Sequence, residues 1–239
     1  MDFAMKIAGQ VGAVTPLFGS TAQYFRAYLT EEEPDFAVRV KPEDLIFEQA
    51  ELDEEARLEG FRRRQFTEPF LERAAIQRAF ADHLIQFDTL LLHGSCVAVD
   101  GEAYLFTARS GTGKSTHTRL WREAFGSRAQ MVNDDKPFLQ LRKEGILACG
   151  SPWSGKHGLD SNVQLPLKGI CILERGGENR IHRSSAEEAL PMLLHQSCLP
   201  GDAAKALVEE LARRVPLWEM ACTKDPEAAR VAFAAMSMP

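Results

Sequence analysis

The stretch Ala108-Arg-Ser-Gly-Thr-Gly-Lys-Ser115 (ARSGTGKS), near the middle of this 239-residue chain, decides the fold. It fits the phosphate-loop pattern GxxxxGK[ST] except that alanine stands at the first glycine. Glycine matters where the backbone takes a positive φ or approaches a ligand closely. We expect Ala108 to be tolerated, because it ends a predicted strand, Tyr104–Thr107, in an ordinary conformation. Gly111 and Gly113 are both present.

The surrounding sequence supplies the strand–loop–helix context that a phosphate loop needs. Backbone N–H groups of such a loop point at phosphate oxygens, the lysine reaches the outer phosphates, and the hydroxyl binds Mg²⁺. We therefore predict ATP, or another nucleoside triphosphate, and Mg²⁺ as ligands. A glycine-rich connector without a ligand is the alternative interpretation. The predicted phosphate-binding residues are Arg109, Ser110, Gly111, Thr112, Gly113, Lys114, Ser115 and Thr116.

Two adjacent aspartates, Asp134 and Asp135, follow a short apolar run after the loop. One carboxylate of such a pair can hold a cation, while the other orients or deprotonates a hydroxyl. The segment Asn-Asp-Asp-Lys-Pro is also good turn chemistry, and in isolation a turn is the simpler interpretation. Downstream of a phosphate loop, the pattern favours a catalytic pair.

Two further segments carry candidate residues. His93 lies in LLLHGSCVAV between apolar runs, where a histidine is by itself typical of a core residue. The segment GSPWSGKHG at 150–158 could cover the triphosphate, with Lys156 as a second catalytic cation and Trp153 lining the acceptor or base pocket. A surface loop with a buried tryptophan is the alternative.

The block LLLHGSCVAVDGEAYLFTARSGTGKST, followed by VNDD, resembles the C-terminal catalytic domain of HPr kinase/phosphorylase and its smaller relatives. His93-Gly94, the loop at 108–115 and Asp134-Asp135 match in order and approximate spacing. The match covers residues 88–140 and continues more weakly to Glu174-Arg175. The resemblance implies an α/β, PEP carboxykinase-like fold, in which a mixed sheet carries the loop and helices flank it.

The resemblance implies a kinase that transfers phosphate from a nucleoside triphosphate to a hydroxyl, usually a serine on a protein or peptide. By carry-over, Lys114 and the loop amides bind phosphates, and Ser115 and one aspartate hold Mg²⁺. The other aspartate, paired with His93, activates the acceptor. We favour Asp134 as base and Asp135 as metal ligand, and the residues leave the reverse assignment open. The expected acceptor is a peptide or protein serine or a small-molecule alcohol.

The chain also departs from the family. The later phosphorylase-associated segment has no convincing counterpart, so reverse phosphorolysis and HPr as substrate are not carried over. Two other functions stay open. An ordinary phosphate-loop NTPase or nucleotide kinase requires a parallel sheet with a helix between the loop strand and the next one; the Asp100-Gly101 hairpin signal argues against it. A non-catalytic nucleotide-binding partner protein is the third hypothesis.

The amino-acid composition and net charge limit the binding partners and the cellular location that we expect. Apolar residues make up 45% and charged residues 26% of the chain, as in ordinary globular proteins, and the net charge is −6. This balance argues against nucleic-acid or membrane-surface binding. The five scattered cysteines predict reduced thiols, and the sequence has neither an export signal nor a long apolar run, so we expect a cytoplasmic protein. The sequence leaves the oligomeric state open.

We predict a β-rich N-terminal lobe at 1–60 and a catalytic core at 61–239, together forming one unit. The charged segment 51–65 is either a turn with a hairpin or the start of a surface helix. The predicted strands are Met5–Ile7, Ala22–Leu29, Phe36–Val40, Thr89–Leu92, Cys96–Val99, Tyr104–Thr107, Met131–Asn133, Phe138–Leu141, Gly169–Glu174 and Val215–Ala221. The predicted helices are 67–87, Ser115–Phe125, Ala186–Gln196 with a Ser185/Glu188 capping box, Ala203–Arg214, and a last one opened by Asp225-Pro226.

Overall fold

The structure is a computed structural model that describes residues 2–58, 60–198 and 201–238. The chain divides into two units, Met1–Leu84 and Ile85–Pro239. The first unit contains a three-stranded sheet with strands β1 (Phe3–Ile7), β2 (Gln10–Thr15) and β3 (Phe36–Arg39). Its helices are α1 (Thr21–Tyr24), α2 (Pro42–Leu58) and α3 (Glu68–Leu84).

Helix α3 packs directly against the small sheet. A Cβ atom on Gly12 of β2 would lie 2.3 Å from Cζ of Phe80 on α3, so only glycine fits there. The rings of Phe36 and Phe80 meet edge to face, with centroids 5.0 Å apart. This packing explains why the first unit extends to Leu84. The lobe and core predicted at 1–60 and 61–239 differ from these units, and their functional assignment stays a prediction.

The first unit is helical in two segments, one predicted as a strand and the other undecided from the sequence. The strand predicted at Ala22–Leu29 is wrong: the segment forms α1 and a 3-10 turn, Arg26–Tyr28. The buried side chains there are Thr21, Phe25 and Tyr28, whose spacing of four and three residues is helical. Of the two interpretations of 51–65, the helical one is correct up to Leu58, although α2 already begins at Pro42.

The second unit is built on a nine-stranded mixed sheet flanked by helices. Its strands are β4 (Thr89–Leu91), β5 (Ser95–Val99), β6 (Glu102–Thr107), β7 (Ala129–Asn133), β8 (Phe138–Arg142), β9 (Gly145–Cys149), β10 (Gln164–Arg175), β11 (Arg180–Ser184) and β12 (Leu217–Cys222). Its helices are α4 (Lys114–Phe125), α5 (Ala186–Gln196), α6 (Asp202–Arg214) and α7 (Glu227–Met236). The strands and helices predicted in this unit are confirmed within a few residues, while β9 and β11 were not predicted.

The long strand β10 joins two parts of this sheet. Its first residues, Gln164 to Pro166, pair antiparallel with β9, and its later residues pair parallel with β6 and β12. The register shifts between Leu167 and Gly169, where the strand changes partners. The sheet order is β4-β8-β9-β10-β6-β5-β7, with β12 also on β10 and β11 on β12. The sheet is therefore mixed, as the sequence predicted.

The loop strand β6 forms an antiparallel hairpin with β5. Asp100 and Gly101 at its turn have φ angles of 53° and 83°, as a type I′ turn requires, which confirms the predicted hairpin. The strand after the loop helix, β7, pairs antiparallel with β5 and not with β6. This is not the parallel arrangement that an ordinary phosphate-loop NTPase requires.

Residues alternate along the central strands between two apolar cores. Leu105 of β6 belongs to the core that helices α5 and α6 cover, and Phe106 belongs to the core that α4 and α7 cover. Helix α5 begins with the predicted capping box, since Ser185 and Glu188 bond to each other's backbone N–H. All five cysteines are free thiols. Among the described residues, no helix has the length and apolarity to cross a membrane.

Candidate active site

The stretch 108–113 connects β6 to α4, as expected. Ala108 is fully buried in the core under α4, and its φ is not positive, so its methyl group fills core space without backbone strain. Gly111 and Gly113 have φ angles of 72° and 126°, which favour glycine. The alanine that breaks the pattern therefore stands at a position where a side chain is compatible with this conformation.

Two cationic side chains, one from α4 and one from β10, donate hydrogen bonds to carbonyl oxygens of the loop. Lys114, which opens α4, donates from Nζ to the carbonyl oxygen of Ala108 at 2.9 Å. Arg175, the last residue of β10, donates to the carbonyl oxygen of Gly111 at 2.6 Å. The strand β10 lies parallel beside β6, so its end is placed next to the loop. These contacts orient the loop without using its amide groups.

His93 lies between β4 and β5 and is held by its backbone. Its N–H donates to the carbonyl of Gln196 at 2.9 Å, and its carbonyl accepts from the Thr107 hydroxyl at 2.9 Å. A Cβ atom on the next residue, Gly94, would lie 3.1 Å from the carbonyl oxygen of Phe106, so glycine eases the close approach of the chain to β6. The imidazole Nε2 lies 3.3 Å from Oδ1 of Asp135.

Asn133, the last residue of β7, organises the loop that carries the aspartates. It is fully buried. Its Oδ1 accepts from the N–H groups of Asp135 at 2.8 Å and Lys136 at 2.6 Å. Its Nδ2 donates to the carbonyl of Ser151 at 2.8 Å. One amide therefore ties the aspartate loop to the 150–158 segment. Sequence reasoning missed this role, although the position before the aspartates and the Asx-turn chemistry were visible.

Asp134 is buried and held by the 150–158 segment. Its Oδ1 accepts from the N–H of Gly155 at 2.6 Å. Its Oδ2 is buried and has no hydrogen-bond partner among the described residues. Burial raises the pKa of Asp134, and the neighbouring charge of Asp135 adds to the rise, while the Gly155 bond partly offsets it. A Cβ atom on Gly155 would lie 3.3 Å from Oδ2, so glycine allows this close approach.

Asp135 has the opposite environment. Burial by itself would raise its pKa, but the hydrogen bond and charge of His93 act against burial. The charges of Lys136 and Lys114 act in the same direction, and the pKa of Asp135 lies below its usual value. His93 is thus paired with Asp135, and the other aspartate carries the free carboxylate oxygen.

These groups face one open cavity of about 640 Å³ in the second unit. Predicted site residues in its wall are His93, Ser110, Gly111, Gly113, Lys114, Ser115, Thr116, Asp134, Asp135 and Lys156. Arg109 and Thr112 belong to the same loop but not to the wall, and Trp153 is buried with its ring edge-on to Phe138. The wall also contains His157 and four residues that were not predicted as part of the site: Thr118, Arg119, Arg122 and Leu159. Arg119 and Arg122 could have been found, because their spacing from Ser115 places all three on one face of the predicted helix.

The residues present fit Mg²⁺ only as a partner of a bound phosphate. No group of three or more His, Cys, Asp or Glu side chains that could hold a metal occurs in the described part of the chain. Mg²⁺ is commonly held by one or two carboxylates together with substrate phosphates and water. The orphaned Oδ2 of Asp134 and the hydroxyl residue Ser115 in the same wall match that donor set.

The sequence matches no family model, and no curated protein matches it. The structure is similar to the solved Hpr(Ser) kinase/phosphatase from Coxiella burnetii, with 13% sequence identity and a TM-score of 0.38. The similarity covers 62% of this chain and 99% of the other one. A likeness of this size says nothing about what this chain binds or catalyses.

Proposed function

We propose that this protein is a kinase that uses ATP, or another nucleoside triphosphate, with Mg²⁺ to phosphorylate a hydroxyl acceptor. One observation carries the proposal: the His93–Asp135 pair, the free carboxylate oxygen of Asp134 and the glycine-containing loop face the same cavity. An acid–base pair, a cation ligand and a phosphate cradle are the parts that phosphoryl transfer requires.

The loop and the start of α4 would hold the phosphates. We assign the phosphate contacts to the loop amides, Lys114 and Thr116, with Arg109 as an outer cation. The N-terminus of α4 also favours negative charge, because unpaired N–H groups and the helix dipole point toward it. Lys156, on the exposed segment at the cavity wall, would supply a second positive charge for the transferred group.

The pairing seen here favours an assignment of the aspartates opposite to the one preferred from sequence. We assign the base to the His93–Asp135 pair and the Mg²⁺ ligands to Asp134 Oδ2 and Ser115. Because the pKa of Asp135 lies below its usual value, its carboxylate is charged and can accept the hydroxyl proton, while His93 holds that carboxylate in place. Bound Mg²⁺ would neutralise charge on the phosphate oxygens.

The transfer step is a displacement at the γ-phosphorus. The acceptor oxygen forms a bond to phosphorus as the bond from phosphorus to the β–γ bridging oxygen breaks. The hydroxyl proton moves to the Asp135 carboxylate, to which His93 Nε2–H donates, and the nucleoside diphosphate leaves. The chain's own residues position the reactants and balance charge, and they form no covalent bond with the substrate. The acceptor that we propose is a peptide or protein serine or a small alcohol. The cellular location that we propose is the cytoplasm.

The test is transfer of label from γ-labelled ATP to serine-containing peptides, serine and small alcohols. We expect Asp135→Asn to lower transfer by about 10²–10⁴-fold, the usual contribution of general acid–base catalysis. Asp225→Asn is the matched control, because Asp225 is exposed, lies outside the cavity and is replaced by another good helix-capping residue. Equal transfer by Asp135→Asn and wild type would overturn the proposed mechanism. Nucleotide binding without transfer to any acceptor would favour the non-catalytic alternative.

A further inference from the structure

We propose that Arg119 and Arg122 form a second anion-binding subsite in this cavity, which binds a carboxylate or phosphate group of the acceptor. The inference rests on the kinase function proposed above and narrows its substrate class to acceptors that carry a negative charge near the reacting hydroxyl. None of the residues assigned to the phosphates or to Mg²⁺ belongs to this subsite.

The two arginines share the helix face that opens onto the cavity. Ser115, Arg119 and Arg122 are spaced four and three residues apart on α4, so their side chains lie on one face, and all three belong to the cavity wall. At 1.5 Å per residue, Arg122 stands about 10 Å along the helix axis from Ser115. The subsite therefore lies about two helical turns along α4 from its N-terminus, where the phosphates would bind.

The guanidinium of Arg122 has no counter-charge. It makes no hydrogen bond or ion pair with any described residue, and its Nε is buried without a partner. Eight arginines in the described chain form ion pairs with a carboxylate: Arg57, Arg63, Arg78, Arg119, Arg128, Arg180, Arg214 and Arg230. Among the arginines of the described residues, Arg122 is distinguished by an Nε that is buried and has no hydrogen-bond partner.

An anionic ligand would satisfy this group. A buried donor without a partner costs free energy, more so when it is charged, and charge-assisted bonds to a carboxylate or phosphate are strong. Neither acidic residue of the wall pairs with Arg122: Asp135 pairs with His93, and Asp134 accepts from Gly155 through Oδ1. Arg119 lies on the same face, and its ion pair with Glu123 is solvent-exposed and therefore weak, so its guanidinium can exchange that partner for a ligand anion.

The acceptor is a better source of this anion than the nucleotide. The loop amides and Lys114 lie at the start of α4 and suffice for the phosphates, while the acceptor has only the His93–Asp135 pair to position its hydroxyl. A planar arginine fork that binds a carboxylate or phosphate in a bidentate manner would provide the second anchor that a defined orientation needs.

The experiment follows the Arg122 Nε–H signal by NMR in the full-length, ¹⁵N-labelled protein loaded with Mg²⁺ and a non-hydrolysable ATP analogue. The signal is assigned by its absence in Arg122→Lys. Inorganic phosphate and, separately, acetate are then titrated in. We expect a saturable shift of this signal with at least one anion. The affinity of Arg122→Lys, followed by the backbone amide signals of α4 because the variant lacks the Nε–H signal, should be lower by about tenfold or more. Arg128→Lys is the control, because Arg128 is exposed, pairs with Asp100 and lies outside the cavity.

Two results would overturn the subsite while leaving the kinase proposal intact. One is an unchanged Arg122 signal with both anions in protein that binds the analogue. The other is an Arg122 Nε–H signal that shifts when the analogue is added and does not shift further with either anion. That result would place a nucleotide phosphate on Arg122. If the loop amide signals show that the analogue itself does not bind, the proposed function and this inference fail together.

Discussion

Asp134 and Asp135 are neighbours in sequence and opposites in environment. Asp134 is buried beside Gly155 with one oxygen unpartnered, so its charged form is disfavoured and its pKa is raised. Asp135 pairs with His93, so its charged form is favoured and its pKa is lowered. Adjacent carboxylates can be given different tasks in this way.

We predict opposite effects on stability when each aspartate is made neutral. At pH 7, Asp134→Asn should raise the melting temperature, because it removes an unfavourable buried charge and keeps an oxygen for Gly155. Asp135→Asn should lower the melting temperature, because it removes the favourable pairing with His93. For a chain of this size, a change of 1 kcal/mol corresponds to about 2–4 °C.

The two effects on stability should depend on pH in opposite directions. A raised folded-state pKa contributes stability that is present at low pH and lost as pH rises through that pKa. The advantage of Asp134→Asn should therefore shrink as pH falls through the raised folded-state pKa, and it should be gone below about 4, the ordinary value for aspartate. A lowered pKa acts in the opposite sense, so the stability that wild type gains from Asp135 should disappear on acidification. Thermal unfolding from pH 7 to pH 3 measures both, and equal destabilisation by the two variants at pH 7 would contradict the prediction.

At the scale of elements, the strand β10 holds the two parts of the sheet together. Gly169 of this strand lets the aromatic ring of Trp218 on β12 approach the β10 backbone. A Cβ atom at Gly169 would lie 2.2 Å from Cζ3 of Trp218 and 3.0 Å from the carbonyl oxygen of Pro216. The requirement for glycine here is one of space, because the φ angle is not in the positive region.

We predict that Gly169→Ala lowers the free energy of unfolding by about 1–3 kcal/mol, the usual cost of overpacking. Urea denaturation followed by tryptophan fluorescence would report both stability and the displacement of Trp218. Gly177→Ala is the matched control, because nothing lies within 4 Å of a Cβ at that position and its φ is not positive. Equal stability of the two variants would mean that Trp218 moves aside without cost.

At the scale of the whole molecule, ligand binding should raise the melting temperature of the protein. A ligand that binds only the folded state at 100 times its dissociation constant stabilises it by about 2.7 kcal/mol. We predict that Mg²⁺ with a non-hydrolysable ATP analogue raises the melting temperature of the second unit's transition by about 5–10 °C at that saturation.

Lys114→Ala should abolish this rise, because Lys114 is the proposed phosphate ligand at the start of α4. Lys168→Ala is the control, since Lys168 lies on β10 and pairs with Glu102 outside the cavity. Differential scanning calorimetry measures the shift. A rise of the same size in both variants would show that the analogue binds elsewhere.

Local chemistry determines the strand–loop–helix at 104–125, the Asp100–Gly101 turn and the capping box at Ser185, because each depends on residues a few positions apart. These features were predictable, and so was the placement of His93, Lys114 and the two aspartates around one cavity. The helical segment at 21–28 was not predicted, because its apolar run was read as a strand while its buried positions follow a helical period.

Long-range packing determines the rest. Three contacts join residues that are far apart in the chain. They are the pairing of His93 with Asp135, the hydrogen bond from Asn133 to Ser151, and the pairing of β10 with β6. No local pattern distinguishes two adjacent aspartates, and none reveals that Arg122 lacks a counter-charge. Those properties depend on which backbone groups and charges the folded sheet brings beside each side chain, and so only the tertiary structure decides them.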